Sequence, residues 1–399
     1  MRRLIILLTL FAALVPWTLR AGEPLDTTLT VSLLTCSPGQ ASYELYGHTA
    51  LRVRSRQTGM DQVYNYGLFS FSQPHFVWRF VLGDCNYMVL PSAMEIFLQT
   101  YAERGSSVDE QVLNLNIYEA NRLADTLLWN SLPENRHYHY DIFRSNCTTK
   151  ARDIVEACIR GNVMYPIREH PTTFRRILHE YTRGHEWGET GNDLLLGCDV
   201  DTIINERDEM FAPERLMHYA DGAMINAGDQ RFRPLVKQHN VILPANPEVS
   251  AMKAKEEPSF PIPPAVIGWT VFIVCLAIAA WEWRRRRICW QLDAVLLTLQ
   301  GVAGVLLTFM TLFSRHPGVA SNWQVVPFNP LPLLFLYPVL RDARRGLSNH
   351  YHYFAVCVLA IFVAAYPVLP QDFPAITLPL ALALLSRSLI NIAVTRHNS

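Results

Sequence analysis

In the first half of the globular part of the chain, hydrophobic and polar positions alternate as they do in half-buried β-strands. A first run, residues 28–36, is strand-like, and two later runs follow the alternating pattern: "HTALRVRS" (48–55) and "DQVYNYGLFSF" (61–71). Their β-branched and aromatic residues, with the turn residues "SPGQ" after the first run, favour strands. The run "HYHYDIF" (137–143) returns to the same alternation. The pattern therefore predicts that strands frame this part of the molecule.

Three other segments carry apolar residues at helical spacing. Residues 91–104 begin with a proline, and residues 118–132 have the same period. Residues 148–161 are amphipathic and open directly after Cys147. Strands and helices together predict an α+β fold. Residues 162–250 are loop-rich with several short helices, and their pattern predicts no particular order.

Beyond residue 264 the pattern changes to long apolar runs. There are five of them: 265–283, 291–313, 327–340, 352–369 and 374–394. A helix needs about 20 apolar residues to cross a bilayer, so the third run is short for a span. The pattern therefore divides the chain into a globular domain (25–253), a charged and proline-rich linker (254–264) and a five-helix transmembrane domain (265–399).

The N-terminus has the pattern of a targeting segment. Residues 1–15, "MRRLIILLTLFAALV", contain two arginines followed by a short apolar run. This arrangement is typical of a secretory signal. We expect residues 1–21 to be either a signal peptide cleaved near Ala21 or an uncleaved N-terminal anchor. In both cases the globular domain leaves the cytoplasm.

The distribution of charge gives the orientation of the membrane domain, although the chain as a whole has no net charge. Basic clusters follow the first, third and fifth apolar runs, at 284–287, at 341–345 and at Arg396. The loops after the second and fourth runs carry only Arg315 and no basic residue, respectively. Because basic loops stay in the cytoplasm, residues 25–260 should lie outside. We therefore expect a multi-pass inner-membrane protein with a periplasmic N-terminal domain.

The sequence contains none of the motifs that would indicate several other classes of function. There is no basic patch for nucleic acid, no phosphate-binding loop, no G-x-S-x-G elbow and no H-E-x-x-H motif. His137 and His139 share one face of a predicted strand, but they have no further ligands at suitable spacing and are interpreted as structural. We expect no nucleic-acid partner, no metal and no cofactor.

Five cysteines lie outside the apolar runs, at positions 36, 85, 147, 158 and 198. An oxidising compartment permits disulfides, and an odd number leaves at least one thiol unpaired or paired elsewhere. Cys147 is the natural unpaired one because of its chemical surroundings. Bridges between Cys158 and Cys198 or between Cys36 and Cys85 are hypotheses without support from spacing.

Cys147, His48 and Asn65 form the candidate catalytic group. A cysteine at a helix start is stabilised as a thiolate by unpaired backbone N–H groups and the helix dipole. His48 follows Gly47 at the head of a predicted strand, from which its ring can act as a base. Asn65, on the next predicted strand, can hold the other nitrogen of that ring. Cysteine, histidine and asparagine together make a thiol-protease type of triad.

This order of residues resembles the circularly permuted papain-like hydrolases, which include NlpC-type peptidases and lecithin:retinol acyltransferase. More closely, "SPGQASYELYGHTALRV", "VYNYGLFSF", "YHYDIFRSNCTTKARD" and "SRHPGVASNW…PFNPLPL" resemble the Lnb-type lipoprotein N-acyltransferases of Bacteroidota. The resemblance runs in the same order over nearly the whole chain. It implies a permuted papain-like, NlpC-like periplasmic domain followed by an α-helical five-span membrane domain.

The resemblance also implies a reaction. The Cys147 thiolate takes an acyl chain from a phospholipid as a thioester and passes it to the α-amino group of a lipoprotein's N-terminal diacylglyceryl-cysteine, with His48 moving the protons. We expect supporting roles around this pair for other residues, including oxyanion stabilisation by tyrosines and contacts from an external membrane loop. These residues are Tyr43, Glu44, Tyr46, Tyr140, Asn146, Asp153, His316, Asn322, Trp323 and Asn329.

Two other functions stay open on the sequence. One is a periplasmic hydrolase with the same thiol, either a phospholipase or a cell-wall peptidase. The other is a non-catalytic binding domain on a membrane anchor. Five spans speak against a wall peptidase, since a single anchor would hold such an enzyme.

Overall fold

The structure, a computed structural model, describes residues 25–69, 74–168, 170–228, 231–257 and 260–396. The expected signal segment (1–21) lies outside these residues. The described residues form a mixed α+β domain followed by a helical region, in agreement with the expected fold class.

Seven antiparallel strands form the main sheet of the described N-terminal domain. They are β1 (Thr30–Cys36), β2 (His48–Arg54), β3 (Asp61–Leu68), β4 (Asn86–Ala93), β5 (Val108–Leu113), β6 (His137–His139) and β10 (Val236–Leu243). Their order in the sheet is β10-β5-β1-β2-β3-β4-β6. A second, three-stranded sheet contains β7 (Asn162–Met164), β8 (Met224–Asn226) and β9 (Phe232–Pro234). Strand β2 therefore lies at the centre of the main sheet.

The helices of this domain lie around the sheet. They are α1 (Phe76–Val81), α2 (Met94–Arg104), α3 (Ile117–Ser131), α4 (Cys147–Cys158), α5 (Phe174–Thr182), α6 (Glu186–Leu195), α7 (Glu206–Glu209), α8 (Pro213–Gly222) and α9 (Pro247–Glu256). The predicted helix over 91–104 begins only at Met94, because the three residues before it end β4. The run predicted to alternate over 137–143 is a strand only to His139, after which Asp141 and Ser145 close a turn.

Both faces of the sheet are covered. Helices α3, α4 and α8 pack against the face that carries Leu33 and Leu51, and α2 packs against the face that carries Leu34 and Ala50. This double burial explains why the apolar residues of β1 lie on both of its faces and six of its seven residues are buried. Each fully buried leucine or valine contributes about 1.5–3 kcal/mol. The sheet is therefore a rigid support for side chains at its strand ends.

Five helices make up the membrane region: α10 (Pro264–Arg285), α11 (Trp290–Phe313), α12 (Leu331–Arg344), α13 (His350–Ala365) and α14 (Thr377–Arg396). Among the described residues, four segments are long and apolar enough to cross a membrane: α10, α11, α14, and α13 extended to Val368. Helix α12 has 14 residues, a length of about 21 Å against a hydrocarbon core of about 30 Å. It corresponds to the apolar run that is short for a span.

The backbone before α12 has only a single 3-10 turn (Trp323–Val325), and polar groups on the neighbouring helices bond this segment. Gln300 on α11 donates to the Pro327 carbonyl oxygen at 2.8 Å, and Thr377 on α14 donates to Gln324 Oε1 at 3.1 Å. At Gly304 a side chain would lie 2.4 Å from the Asn329 carbonyl oxygen, so glycine allows this backbone to approach α11. Irregular backbone at membrane depth is tolerated where protein buries it in this way.

The loops after α11 and α13 dock on the globular domain. Asn322 donates from Nδ2 to the Leu194 carbonyl oxygen at 2.8 Å, and Gln371 donates from Nε2 to the Leu196 carbonyl oxygen at 3.0 Å. Both loops therefore lie at the end of the helical region that faces the globular domain. The basic clusters lie at the C-terminal ends of α10, α12 and α14, opposite the globular domain, which agrees with the orientation predicted from charge.

Candidate active site

Gly47 and the start of β2 position His48. Gly47 has φ of +67°, and a Cβ on it would lie 2.6 Å from the Cys36 carbonyl oxygen, so only glycine fits here. His48 then begins β2 opposite Cys36 of β1. The ring of Tyr101, on α2, stacks on the imidazole with centroids 6.5 Å apart and planes 13° apart. The histidine is therefore held by the central strands and by an aromatic ring.

Asn65 on β3 orients the imidazole. Its Oδ1 lies 3.4 Å from His48 Nε2, while its Nδ2 donates to Ser92 Oγ at 3.0 Å and to the Val63 carbonyl oxygen at 3.3 Å. Both amide hydrogens thus have acceptors, which fixes the oxygen towards the histidine. An oxygen acceptor on this side favours a proton on Nε2, which leaves Nδ1 as the nitrogen that can accept a proton.

Asn146 fixes Cys147 at the first turn of α4. Its Oδ1 accepts hydrogen bonds from the N–H groups of Thr148 at 2.9 Å and Thr149 at 2.8 Å. Thr149 Oγ1 in turn accepts from the Asn146 N–H at 2.9 Å, which completes a capping box. The Asn146 amide also donates to the Phe211 carbonyl oxygen at 2.8 Å. The helix start that carries the thiol is therefore anchored on two sides.

The Cys147 thiol is acidic for a cysteine. Burial raises its pKa, but the charge and hydrogen bond of His48, the Thr49 N–H and the Thr148 hydroxyl lower it, and the resulting pKa is about 7 instead of 9.0. A thiolate is thus well populated at neutral pH. This thiol and the imidazole have the properties of a nucleophile and its base.

A cavity of about 540 Å³ opens over Cys147 and His48. Its lining is mainly aromatic: Tyr43, Tyr46, Phe69, Phe76, Phe80, Tyr87, Tyr140, Tyr181 and Phe211. His316, from the loop after α11, completes it. The volume is in the range of small-molecule sites, and such an apolar wall suits a hydrocarbon better than a polar peptide or sugar.

Two models of one known family match the chain. The family model for the Lnb N-terminal periplasmic domain matches residues 24–180, which include His48, Asn65 and Cys147. The model for the Lnb transmembrane domain matches residues 255–399. The two matches follow in order and together span most of the chain. The chain belongs to the Lnb family.

This membership agrees with the topology derived from charge. In the Lnb family the first domain is periplasmic and the second is transmembrane. The protein is therefore a membrane protein with a periplasmic N-terminal domain. No curated protein and no solved structure matches the chain.

The tyrosines expected near the site of this Lnb protein line its cavity. Tyr43 lies at the surface, 63 % exposed. The Tyr46 hydroxyl accepts a hydrogen bond from the Asn192 amide at 2.7 Å. Tyr140 stacks on Tyr87 with ring centroids 4.2 Å apart. Burial keeps the pKa of Tyr140 well above its usual value, so its hydroxyl stays protonated.

Neither Glu44 nor Asp153 is among the described residues that line the cavity. Glu44 forms an ion pair with Arg104 at 3.1 Å and packs against the turn before β2. Asp153 pairs with Arg152 and Arg207, both at 2.8 Å. Their contacts support the shape of the turn and of α4, and they do not bring either carboxylate to the thiol.

The four residues expected to contribute from the external loop make different contacts. His316 reaches the cavity, and its Nε2 donates to the Phe80 carbonyl oxygen at 2.5 Å. Asn322 docks on the globular domain, and the Trp323 N–H donates to Gln371 Oε1 at 2.8 Å. Asn329 Oδ1 accepts from the N–H of Leu331, at the start of α12. Domain docking thus accounts for most of this loop.

The structure also corrects the disulfide hypotheses. All eight cysteines lie within the described residues and are free thiols, so neither the Cys158–Cys198 nor the Cys36–Cys85 bridge is present. Cys36 and Cys158 are buried in the two apolar cores, where they pack as small hydrophobic residues. The sequence analysis missed Tyr101 and Gly67, which lie against His48 and Cys147 respectively.

The alkylation rate of Cys147 by iodoacetamide should be half-maximal near pH 7 and fall as the pH drops below it. Only the thiolate reacts, and a lowered pKa extends the thiolate to lower pH. In His48→Ala, burial acts without the imidazole, so the midpoint should move to higher pH. Mass spectrometry of labelled peptides over a pH series measures both midpoints.

Cys198 is the internal control for this titration. Burial raises the pKa of Cys198, so its labelling should be half-maximal only above pH 9.0. Equal midpoints for Cys147 in the parent protein and in His48→Ala would contradict the coupling between thiol and imidazole.

Proposed function

We propose that the protein is a lipoprotein N-acyltransferase. It moves an acyl chain from a membrane phospholipid to the α-amino group of a lipoprotein's N-terminal diacylglyceryl-cysteine, through a thioester on Cys147. The observation that carries the proposal is an acidified thiol beside His48, in an aromatic cavity that a residue of the membrane domain completes. Membership of the Lnb family supports acyl transfer as the reaction class.

In the first half-reaction the Cys147 thiolate attacks an ester carbonyl carbon of the phospholipid. The new C–S bond forms a tetrahedral oxyanion, which collapses with cleavage of the ester C–O bond. The protonated His48 gives its proton to the departing glycerol oxygen. The products are a lysophospholipid, which leaves, and an acyl thioester on Cys147.

In the second half-reaction the α-amino group of the lipoprotein attacks the thioester carbonyl carbon. Neutral His48 takes a proton from the attacking nitrogen, and the C–S bond breaks as the amide forms. The thiolate of Cys147 returns beside a protonated His48, so the enzyme is unchanged. Asn65 keeps the imidazole in the orientation that both halves need.

Two donors support the oxyanion in this proposal. The Asn146 side chain already occupies the N–H groups of Thr148 and Thr149. We therefore assign the backbone N–H of Cys147 itself and the protonated hydroxyl of Tyr140. Donors of this kind, oriented in a site that excludes water, are worth more than the same groups in water.

The placement of the site relative to the bilayer follows from the same proposal. We assign five spans in the inner membrane, with α12 as the short one, and a circularly permuted papain-like arrangement for His48, Asn65 and Cys147. Docking of the loops after α11 and α13 holds the thiol close to the membrane surface. Fixing the enzyme near two amphiphilic substrates raises the probability of productive encounters.

Mass spectrometry of lipoprotein N-termini tests the function. Deletion of the protein should leave lipoproteins with a free α-amino group, and expression of the parent protein should restore the third acyl chain. A phospholipase would instead release free fatty acid with or without an amine acceptor, and a peptidase would leave lipoproteins unchanged. Unchanged N-acylation after deletion would refute the proposal.

A further inference from the structure

Helix α1 lies between the cavity and the membrane region and carries apolar residues on both of its sides. Phe76 and Phe80 line the cavity. Val77 and Trp78 are 73 % and 57 % exposed. Exposed apolar groups that lie next to one another mark a surface that contacts a membrane or a partner. The helix therefore has one face for the cavity and another for its surroundings.

A row of aromatic rings connects the surroundings of Cys147 with α1. Consecutive ring centroids are 4.2 Å apart for Tyr140–Tyr87, 4.9 Å for Tyr87–Phe69, 6.0 Å for Phe69–Phe76 and 6.2 Å for Phe76–Phe80. Tyr140 and Cys147 line the same cavity as the four phenylalanine and tyrosine rings that follow. An apolar path thus leads from the nucleophile to the helix.

The membrane region holds the far end of this path. Trp78 packs on Phe309 of α11 with ring centroids 5.5 Å apart. Phe80 meets the His316 ring edge-on at 5.0 Å, and its carbonyl oxygen accepts from that ring. Burial lowers the pKa of His316, so this contact is with a neutral imidazole.

Gly83 lets the end of α1 approach the loop after α11. Its φ is +73°, and a Cβ there would lie 2.5 Å from the His316 backbone nitrogen. Arg315 donates from its backbone N–H to the Leu82 carbonyl oxygen at 2.9 Å. Backbone contacts as well as side chains therefore fix the position of α1.

The exposed face of α1 is adjacent to surface that faces lipid. At the end of α11, Leu312 and Phe313 are 66 % and 63 % exposed, as expected for residues in contact with acyl chains. Phe309, the partner of Trp78, packs on Phe313 with ring centroids 5.3 Å apart, and tryptophan is enriched where a membrane meets water. Apolar surface is thus continuous from the bilayer, across α1, to the cavity.

We propose that α1 is the portal through which the acyl chain of the donor phospholipid passes from the bilayer to Cys147, with Phe76 and Phe80 as the residues that select the chain. The inference rests on the proposed function, because that function requires an acyl carbonyl at the thiol. The occupant is the donor chain, since its carbonyl must reach Cys147 while its tail extends along an apolar path. The acceptor brings only an amine, and its own chains can stay in the bilayer.

Photo-crosslinking tests the portal without turnover. Full-length Cys147→Ala protein is reconstituted in vesicles of phosphatidylethanolamine and phosphatidylglycerol that contain a phosphatidylethanolamine with a diazirine in one acyl chain. Crosslinks are expected in the peptides that contain Phe76–Phe80 and Tyr87, besides those on the outer faces of the spans. Crosslinks confined to α10–α14 would overturn the proposal, as would labelling of α1 by a diazirine lipopeptide but not by the phospholipid.

A selectivity measurement provides the second test. Phe76→Ala and Phe80→Ala are expected to change the preference between a long-chain and a short-chain phospholipid on the order of tenfold, because lost wall contacts act on the chain itself. Phe80→Leu, which keeps apolar bulk, serves if the alanine variants fail to fold. Phe232→Ala is the matched control, since Phe232 is 53 % exposed and lies on β9. An unchanged preference in folded variants would contradict the portal.

The results distinguish failure of the portal from failure of the proposed function. If lipoprotein N-acylation does not depend on the protein but α1 still crosslinks to the phospholipid, the portal stands and the reaction must be reassigned. If N-acylation depends on the protein while α1 takes no crosslink, the portal is wrong and the function stands.

Discussion

Cys147→Ala should abolish acyl transfer, whereas His48→Ala should retain a slow reaction. Without the thiol there is no atom to carry the acyl group, so the covalent route is closed. Without the imidazole the thiol remains, but it is less ionised and no base takes the proton of the incoming amine. General acid–base catalysis typically contributes about 10²–10⁴-fold, and we expect a loss in this range for His48→Ala.

Release of labelled lysophospholipid and formation of N-acylated lipopeptide measure the two half-reactions separately. The matched control is Cys198→Ala, a partly exposed thiol that is not among the cavity residues. It should react like the parent protein. Transfer at the parent rate in Cys147→Ala would exclude the thioester route.

Arg387→Met is expected to cause the largest loss of stability in the membrane region. The Arg387 guanidinium bonds Glu282 at 2.5 and 2.9 Å and Asp293 at 2.8 Å, and Asn391 also donates to Asp293. These three charged side chains are at most 4 % exposed. Removing one partner of a buried ion pair leaves an uncompensated charge, at a cost of about 3–5 kcal/mol.

The folded fraction in detergent after a heating series measures this effect. Adding Glu282→Leu and Asp293→Leu to Arg387→Met should restore much of the stability, because apolar replacements remove the unpaired charges. Arg287→Met, at an exposed arginine two residues after α10, is the control and should behave like the parent protein. A single Arg387→Met variant as stable as the parent would show that the cluster does not hold these helices together.

The sheet could be predicted where strands are buried on a regular pattern. Strands β2 and β3 alternate clearly, β1 has β-branched and apolar residues on both faces, and the apolar period of α4 is regular. Strand β10 is an edge strand with half of its residues exposed and none buried, so "VKQHNVIL" has little apolar pattern to find. Strand β5 could not be predicted because "VDEQVL" contains three consecutive polar residues, although the strand is largely buried. In β4, Pro91 suggested a helix start because proline is favoured there.

The long membrane helices could also be predicted from a regular local pattern. Four long apolar segments are visible from composition alone. The run over 327–340 contains prolines and Asn329, and its first residues are held as irregular backbone by Gln300 on α11. This contact comes from a distant part of the chain, so the local pattern could not reveal where α12 begins.

Proximity of His48, Asn65 and Cys147 could be expected, since two adjacent strands and a helix start can converge. The position of Tyr101 beside His48 could not be expected, because an aromatic residue in an amphipathic helix is usually interpreted as a core residue. Helix α1 has only six residues, too few to show a period. Disulfide pairing is also not encoded in cysteine spacing, which explains why both bridge hypotheses were wrong.

The mass of the intact protein after incubation with a phospholipid tests the thioester most directly. We expect an added acyl mass on Cys147 that neutral hydroxylamine removes, and that a lipopeptide with a free α-amino group discharges as an amide. Cys147→Ala should gain no such mass. N-acylated lipopeptide formed without any acyl-enzyme, or an acyl mass that persists in Cys147→Ala, would contradict the account.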